Sequence, residues 1–230
     1  MNRFSFLKKS IPGYLDNPNI AAVVICDETG EDVKQIESQS WGKHPKLRLH
    51  TNPKRLGIYH NKRKCMEVSP TEWVALLDSD NIFPEEFFET IQDLWSTQGA
   101  NPSMLYASGD VVRVFMKTGE SEDRTAHFAG KVITKETWNT ILQTPAWNFL
   151  LNDGNWIGHR SLLEAWPSNI RDEQVRATDA IFVLKNLIQK GWSYFIVPDL
   201  KYIHTVHDGS EWLRTEAESS YLLGSTNWRV

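Results

Sequence analysis

Apolar and polar positions form alternating blocks along this chain, and the blocks predict strands separated by helices. Short apolar or alternating runs, rich in β-branched residues, are typical of strands. They occur at residues 21–26, 46–50, 73–77, 104–115 and 193–197. We expect the fourth strand to break near Gly109 and the fifth to end at Pro198, because proline cannot donate to a ladder.

Helical spacing of apolar residues predicts helices between these strands, at residues 57–68, from Pro84 onward, at 134–143 and at 179–190. Thr178 is suited to cap the last helix and Gly191 to end it. Strands that alternate with helices favour an α/β fold with a mostly parallel central sheet flanked by helices. A length of 230 residues suits one such domain.

Acidic residues follow two of the predicted buried strands. Asp27 follows the first, and Asp78 and Asp80 follow the apolar run WVALL at 73–77. Ligands of parallel sheets bind at the carboxyl ends of the strands. Neighbouring carboxylates repel unless a cation lies between them, and oxygen ligands suit Mg²⁺ or Mn²⁺. The alternative is that Asp80 or Asn81 only forms a turn before the helix at Pro84.

Composition narrows the function classes. The net charge of -4 gives no general attraction to nucleic acid, and no apolar run reaches the roughly 20 residues that span a bilayer. Two cysteines provide no disulfide framework, and the N-terminal residues lack the apolar core of a signal peptide, so we expect a cytoplasmic protein. The basic segment at 43–64 leaves a peripheral membrane contact open.

Two other functions of the Asp-x-Asp motif can be weighed from the sequence. A calcium loop would need an acid or amide at Ile82 and a glycine at Phe83, so that function fails. A phosphatase of the haloacid-dehalogenase type also carries Asp-x-Asp after an apolar strand, with the first aspartate as nucleophile. That motif normally opens its domain, whereas a strand and a helix precede it here, so the phosphatase stays a weaker alternative.

Four segments in order resemble the GT-A-fold glycosyltransferases, closest to the family-2 group: AAVVICDETGEDVKQI, RLHTNPKRLGIYHNKRKCMEVSPTEWVALLDSDNIFPEEFFETI, ATDAIFVLKNLIQKGW and YFIVPDLKYIHTVHDGS. The resemblance implies metal-assisted transfer of a sugar from a nucleotide diphosphate, with UDP expected, to a carbohydrate or glycoconjugate acceptor. Residues 1–115 would bind the nucleotide-sugar and residues 116–230 the acceptor. No nucleic-acid partner is implied.

The resemblance also assigns residues at the donor side. Nucleotide-sugar contacts would come from Asp27, Glu28, Arg55, Asn61, Asp78 and Ser79. Asp27 would accept the ring N–H of uracil. Asp78 would hold the ribose or share the Mn²⁺ or Mg²⁺ ion with Asp80, and His207, with His204 near it, would approach the metal from the C-terminal loop.

On the acceptor side, the resemblance places the catalytic base at Asp179, which would remove a proton from the acceptor hydroxyl and invert the anomeric configuration. Its alternative is an acid that stabilises the first turn of a helix. Trp156 and Asp153 are candidate acceptor contacts, since an aromatic ring stacks on sugar C–H groups. Trp147 and Trp212 share this assignment, and a core position is the equal alternative for each tryptophan.

One part of the family pattern is missing. Residues 3–17 match the helix that normally follows the opening apolar strand, and no such strand precedes them. We therefore expect a gap in the middle of the sheet. A domain without that strand could also bind nucleotide-sugars or glycans without catalysing transfer, and this non-catalytic function is the alternative from another class.

Overall fold

The structure is a computed structural model that describes residues 3–152 and 154–230, an α/β fold with helices packed on a central sheet. The strands are β1 (Val23–Asp27), β2 (Leu47–Thr51), β3 (Trp73–Leu76), β4 (Met104–Phe115), β5 (Ser121–Glu122), β6 (Val132–Ile133), β7 (Trp156–His159) and β8 (Ser193–Val206). The helices are α1 (Phe4–Asp16), α2 (Glu31–Glu37), α3 (Ile58–Val68), α4 (Glu86–Gln98), α5 (Lys135–Ile141), α6 (Trp147–Asn152), α7 (Asp179–Gln189), α8 (Glu211–Arg214) and α9 (Glu216–Ser225). Each predicted strand and helix is present, most of them within two residues of the predicted bounds.

The strands form a mixed arrangement. β1 and β2 pair in parallel, and the larger sheet has the order β3-β7-β4-β8-β6, with β5 paired to β4. β4 and β8 are parallel, whereas β7 runs antiparallel to both of its neighbours and β6 runs antiparallel to β8. The predicted strands β3, β4 and β8 therefore run in the same direction, as do β1 and β2, and the α/β fold with a central sheet flanked by helices is confirmed; the antiparallel strands β5, β6 and β7 were not predicted. The apolar pattern of a four-residue run such as β7 indicates that the strand is buried, but it does not indicate in which direction the strand runs.

The longest pair, β4 with β8, corrects two expectations: β4 does not break near Gly109, where only its register with β8 shifts, and β8 does not end at Pro198. β8 continues past Pro198 to Val206, and the register shifts from Ser108↔Val197 to Asp110↔Lys201. β8 thus has two more residues than β4 between these pairs, and Pro198 lies in this bulge, where its missing N–H costs no ladder bond. Gly109 permits the close approach, because a Cβ there would lie 2.5 Å from the Val197 carbonyl oxygen.

A gap separates the two sheets. In the described part of the chain, no pairing joins β1 to β3. A cavity of about 490 Å³ lies between these strands, and residues of both strands line it together with Leu7, Ile11 and Tyr14 of α1 and Cys65 of α3. This geometry matches the expected gap in the middle of the sheet. No strand among residues 3–152 and 154–230 pairs with the edges of β1 and β3 that face the cavity.

Three apolar clusters hold these layers together. One packs α5 and α7 on the β4–β8 sheet, a second packs α4 on that sheet, and a third joins α1 and α2 to β1 and β2. Gly191, at φ +89°, ends α7 as predicted. Thr178 does not cap α7, since its hydroxyl donates to the Val175 carbonyl at 2.6 Å. No helix in residues 3–152 and 154–230 has the length and apolarity needed to cross a membrane.

Candidate functional site

The turn after β3 carries Asp80 into a cluster with His207 and Arg3. Nη1 of Arg3 lies 2.8 Å from Oδ2 of Asp80, and Nε2 of His207 lies 2.9 Å from the same oxygen. The backbone N–H of Gly209 donates to Nδ1 of His207 at 3.1 Å, which directs Nε2 toward Oδ2 of Asp80 and to within 2.9 Å of Nη1 of Arg3. One carboxylate oxygen therefore contacts both a guanidinium and an imidazole.

Asn81 explains how distant parts of the chain meet in this cluster. Its N–H donates to the Asp78 carbonyl at 3.0 Å, which closes the turn, and its side-chain oxygen accepts from the backbone N–H of Thr205 at 2.8 Å. The neighbouring Ile82 forms a β-bridge with Ile203. The part of β8 beyond Pro198 is therefore fixed to the Asp-x-Asp turn, and this brings His207 to Asp80.

Asp78 pairs with a different cation, Lys62. Nζ of Lys62, on α3, lies 3.1 Å from Oδ1 of Asp78 and 3.1 Å from Oδ2 of Asp179. The side chain of Asp179 is 7% exposed and that of Lys62 is 16% exposed. The first residue of α7 and the turn after β3 thus meet at one lysine, so the predicted base and the predicted ribose-binding acid share a site.

The pKa values of this trio reflect burial and charge together. Burial raises the pKa of Asp179, and the charge of Lys62 opposes this rise only in part. Burial alone would lower the pKa of Lys62, but the charges of Asp179 and Asp78 outweigh it and hold that pKa above its ordinary value. A carboxylate with a raised pKa accepts a proton more readily, which suits a general base.

The remaining acids of the donor side are bonded to the backbone nearby. Oδ1 of Asp27 accepts from the N–H of Thr29 and Oδ2 accepts from that of Val33, both at 3.0 Å. Burial would raise the pKa of Asp27, but these backbone bonds hold it below its usual range. The Thr29 hydroxyl also donates to Oδ1, at 3.3 Å, and the Gly30 N–H is a further backbone donor, so the uracil contact predicted for Asp27 stays a prediction.

Glu28 and Asn61 organise the loop between β2 and α3. Oε1 of Glu28 accepts from the N–H groups of Leu56 and Gly57, at 2.7 and 2.6 Å. Asn61 donates to the Cys26 carbonyl at 3.0 Å, which fixes α3 to the end of β1. The predicted nucleotide-sugar contacts of these two residues stay a prediction, and the structure gives both a local structural role.

Arg55 and Ser79 have few restraints. The side chain of Arg55 is 71% exposed and lies 3.7 Å from Glu28, so it can reorient toward an anion at little cost. Ser79 is half-buried between Asp78 and Asp80. The donor contacts predicted for both residues also stay predictions.

The acceptor-side candidates fare differently. Trp156 is 1% exposed and packs in the main apolar core, with its ring centroid 6.3 Å from that of Trp166. A stacking platform needs an open ring face, so the acceptor role predicted for Trp156 is not supported, and it is a core residue. Trp147 and Trp212 are half-buried and keep partial exposure. Asp153 lies outside the described residues.

The predicted metal ligands do not converge as a set of three. In the described ranges, no three His, Cys, Asp or Glu residues lie together as a metal site. Asp80 and His207 do converge, with 2.9 Å between Oδ2 and Nε2, and the Arg3 guanidinium already contacts both atoms. A carboxylate with an imidazole suits Mn²⁺ or Mg²⁺, which complete their shells with water and phosphate.

Sequence reasoning missed Arg3 and Lys62. Both lie near other basic residues, and the sequence alone does not distinguish such a residue from one whose charge faces solvent. For Lys62 one signal was available, because the predicted helix at 57–68 follows a donor-side loop and carries Asn61 next to it. No sequence signal could place Arg3 beside Asp80, since 77 residues separate them. His204 contacts Tyr202, with 3.4 Å between Nδ1 and the hydroxyl.

Several solved structures share this fold. S. aureus TarS 1-349 superposes with a TM-score of 0.64 at 14% identity, over 89% of this chain and 58% of that one. The complex of TarS 1-349 with UDP-GlcNAc superposes with a TM-score of 0.65 at 14% identity, over 91% of this chain and 57% of that one. The complex with UDP superposes with a TM-score of 0.63 at 13% identity, over 98% of this chain and 64% of that one. The chain thus spans about three fifths of the TarS 1-349 chain, and at this identity the likeness shows the fold alone.

The family is shown by a different comparison. A search of curated proteins finds no match. The model of glycosyl transferase family 2, however, matches residues 2–164. The match covers more than half of the chain, and it includes both the end of β1 and the Asp-x-Asp turn. The chain therefore belongs to glycosyl transferase family 2.

Proposed function

We propose that this protein transfers a sugar from a nucleotide diphosphate, UDP in particular, to a hydroxyl group of a carbohydrate or glycoconjugate. The family supports sugar transfer. UDP is supported by the fold neighbour TarS, whose structures include complexes with UDP-GlcNAc and UDP. In this proposal the donor lies along the ends of β1 and β3, near Asp27 and the Asp-x-Asp turn.

The observation that carries the proposal is the meeting of Asp78 and Asp179 at Lys62. Residues that belong to separate halves of the domain converge there on one nitrogen, 3.1 Å from each carboxylate. A transfer reaction needs the donor and the acceptor base in the same cleft, because positioning supplies much of the rate. Lys62 keeps Asp179 in place beside the donor side.

The chemistry of the site follows from its charges. Asp179, with a pKa raised by burial, takes the proton of the acceptor hydroxyl as that oxygen attacks the anomeric carbon, and the configuration inverts. Asp80 and His207 are the residues that would hold Mn²⁺ or Mg²⁺. Such an ion supplies Lewis-acid stabilisation of charge on the departing nucleotide diphosphate.

Calorimetry and turnover together test the proposal. We expect UDP to bind with Mn²⁺ in the millimolar-to-micromolar range typical of enzyme substrates, and UDP-sugars to be transferred or slowly hydrolysed. Asp179→Asn should abolish transfer, because the amide cannot take a proton, and leave the affinity for UDP with Mn²⁺ nearly unchanged. Transfer that persists in this variant would show that another group is the base. Absence of UDP binding under all metal conditions would refute the donor assignment.

A second candidate is a domain that binds nucleotide-sugars without turnover. The gap between β1 and β3 favours it, because the donor would lie along strands that are held together only indirectly. Binding of UDP without any metal-dependent hydrolysis of a panel of UDP-sugars would identify this function. For localisation, we propose the cytoplasm, with the basic segment at 43–64 available for a peripheral membrane contact.

A further inference from the structure

The Arg3 side chain is bound at the place where a divalent ion would have to bind. Its Nη1 donates to Asp80 at 2.8 Å and its Nη2 donates to the Gly209 carbonyl at 3.3 Å. The side chains of Arg3, Asp80 and His207 are 17%, 14% and 14% exposed, so this contact is largely shielded from solvent. Shielded ion pairs are screened little by salt, which makes the contact persistent.

The main chain at Arg3 is fixed separately from its side chain. The N–H groups of Arg3 and Phe4 both donate to the carboxylate of Asp32 on α2, at 3.1 and 2.9 Å, and this satisfies the first turn of α1. The Phe6 ring packs 4.9 Å from the His207 ring. The start of α1 can therefore stay in place while the guanidinium moves, so the side chain alone can open or close access to Asp80.

Charge makes the two states exclusive. Arginine does not deprotonate in proteins, so its positive charge can leave Asp80 only when the side chain swings away. A divalent ion and a guanidinium cannot share the same carboxylate oxygen, because like charges repel strongly at such distances. Ion binding at Oδ2 of Asp80, the oxygen that His207 also contacts, must therefore displace Arg3.

We propose that Arg3 is an internal competitor of the divalent cation, and that it keeps the Asp80–His207 pair closed until a metal ion displaces its guanidinium. This proposal rests on the metal site of the proposed function, and it adds control of metal binding to that function. The apparent metal affinity of the protein is then reduced by the fraction of molecules in which Arg3 is away from Asp80. Mn²⁺ is the probe that tests this.

The experiment is titration of the whole chain with Mn²⁺, without nucleotide, by calorimetry and by loss of the free Mn²⁺ EPR signal. Arg3→Met should bind Mn²⁺ about tenfold or more tightly than the parent protein, as expected if the open fraction is a tenth or less. Arg3→Lys keeps the charge and should stay near the parent. Lys8→Met removes the same charge from an exposed position on α1 and is the matched control.

Three outcomes would overturn the competitor. Equal Mn²⁺ affinity in Arg3→Met and the parent would show that Arg3 does not compete, and so would the absence of Mn²⁺ binding in both. Tighter binding that survives Asp80→Asn in the Arg3→Met background would place the ion elsewhere. Circular dichroism of each variant checks the fold. Because no nucleotide is present, tighter Mn²⁺ binding combined with no UDP binding would refute the proposed function and leave the competitor intact.

Discussion

Replacing Lys62 by methionine tests the centre of the site most directly. Methionine keeps most of the apolar stem and removes only the ammonium group, so the core around α3 is preserved. The change leaves Asp179 buried, at 7% exposure, with no other cation of the described residues paired to it, whereas Asp78 is 35% exposed and can be hydrated. The destabilisation should therefore arise mainly from Asp179.

The expected size follows from the geometry. At 3.1 Å, each ion pair of Lys62 contributes roughly 5 kcal/mol of Coulomb attraction at an effective dielectric of about 20. In the parent protein, the cost of desolvating the three charged groups offsets much of this attraction. In the variant, the desolvation cost of Asp179 remains, but the attraction to Lys62 is lost. Breaking a buried pair by removal of one partner costs about 3–5 kcal/mol. Since Asp179 can take up a proton, we expect the lower end, about 3 kcal/mol.

Urea unfolding followed by tryptophan fluorescence measures this loss. Lys64→Met is the control on the same helix, because Nζ of Lys64 lies 3.6 Å from Glu67 with both side chains about one third exposed, and it should cost less than about 1 kcal/mol. In the double variant Lys62→Met with Asp179→Asn, the loss should be smaller than the sum of the single losses. Additive losses, or a Lys62 variant as stable as the control, would refute the buried-trio argument.

Three further predictions concern the scaffold. Trp156→Ala should lower the free energy of unfolding by about 3–5 kcal/mol, as for a core residue, whereas Trp212→Ala should lower it far less. Urea titration measures both variants, and equal losses would contradict the core assignment of Trp156. Gly109→Ala should destabilise the protein by more than about 1 kcal/mol, because the added Cβ would meet the Val197 carbonyl. In Gly13→Ala the added Cβ meets nothing within 4 Å, so this change in α1 should stabilise the protein by up to about 1 kcal/mol. Thermal melts that show the reverse order would refute the close approach at Gly109. Amide hydrogen exchange should be faster in β1 and β3, which border the gap, than in β4 and β8, and equal protection would show that the edges are covered.

Local features of the fold were readable from the sequence because they depend on neighbours in the chain. The apolar run at 73–77 and the proline-led helix after it bracket the Asp-x-Asp turn, and both were placed correctly. The glycine that ends α7 was also placed, since a positive φ favours glycine. Errors arose where partners decide: Pro198 was taken as a strand end, yet a bulge in β8 accommodates it against β4.

The sequence by itself determined the order of strands and helices, the position of the acidic residues at strand ends and the expected gap, because hydrophobic period and turn chemistry act over a few residues. Only the tertiary structure decided which charges meet. Lys62 reaches Asp78 and Asp179, and Arg3 reaches Asp80, across sequence separations that no local pattern encodes. The physical reason is that a lysine or arginine on a helix surface has the same local signature whether it faces water or a carboxylate, and only packing determines which.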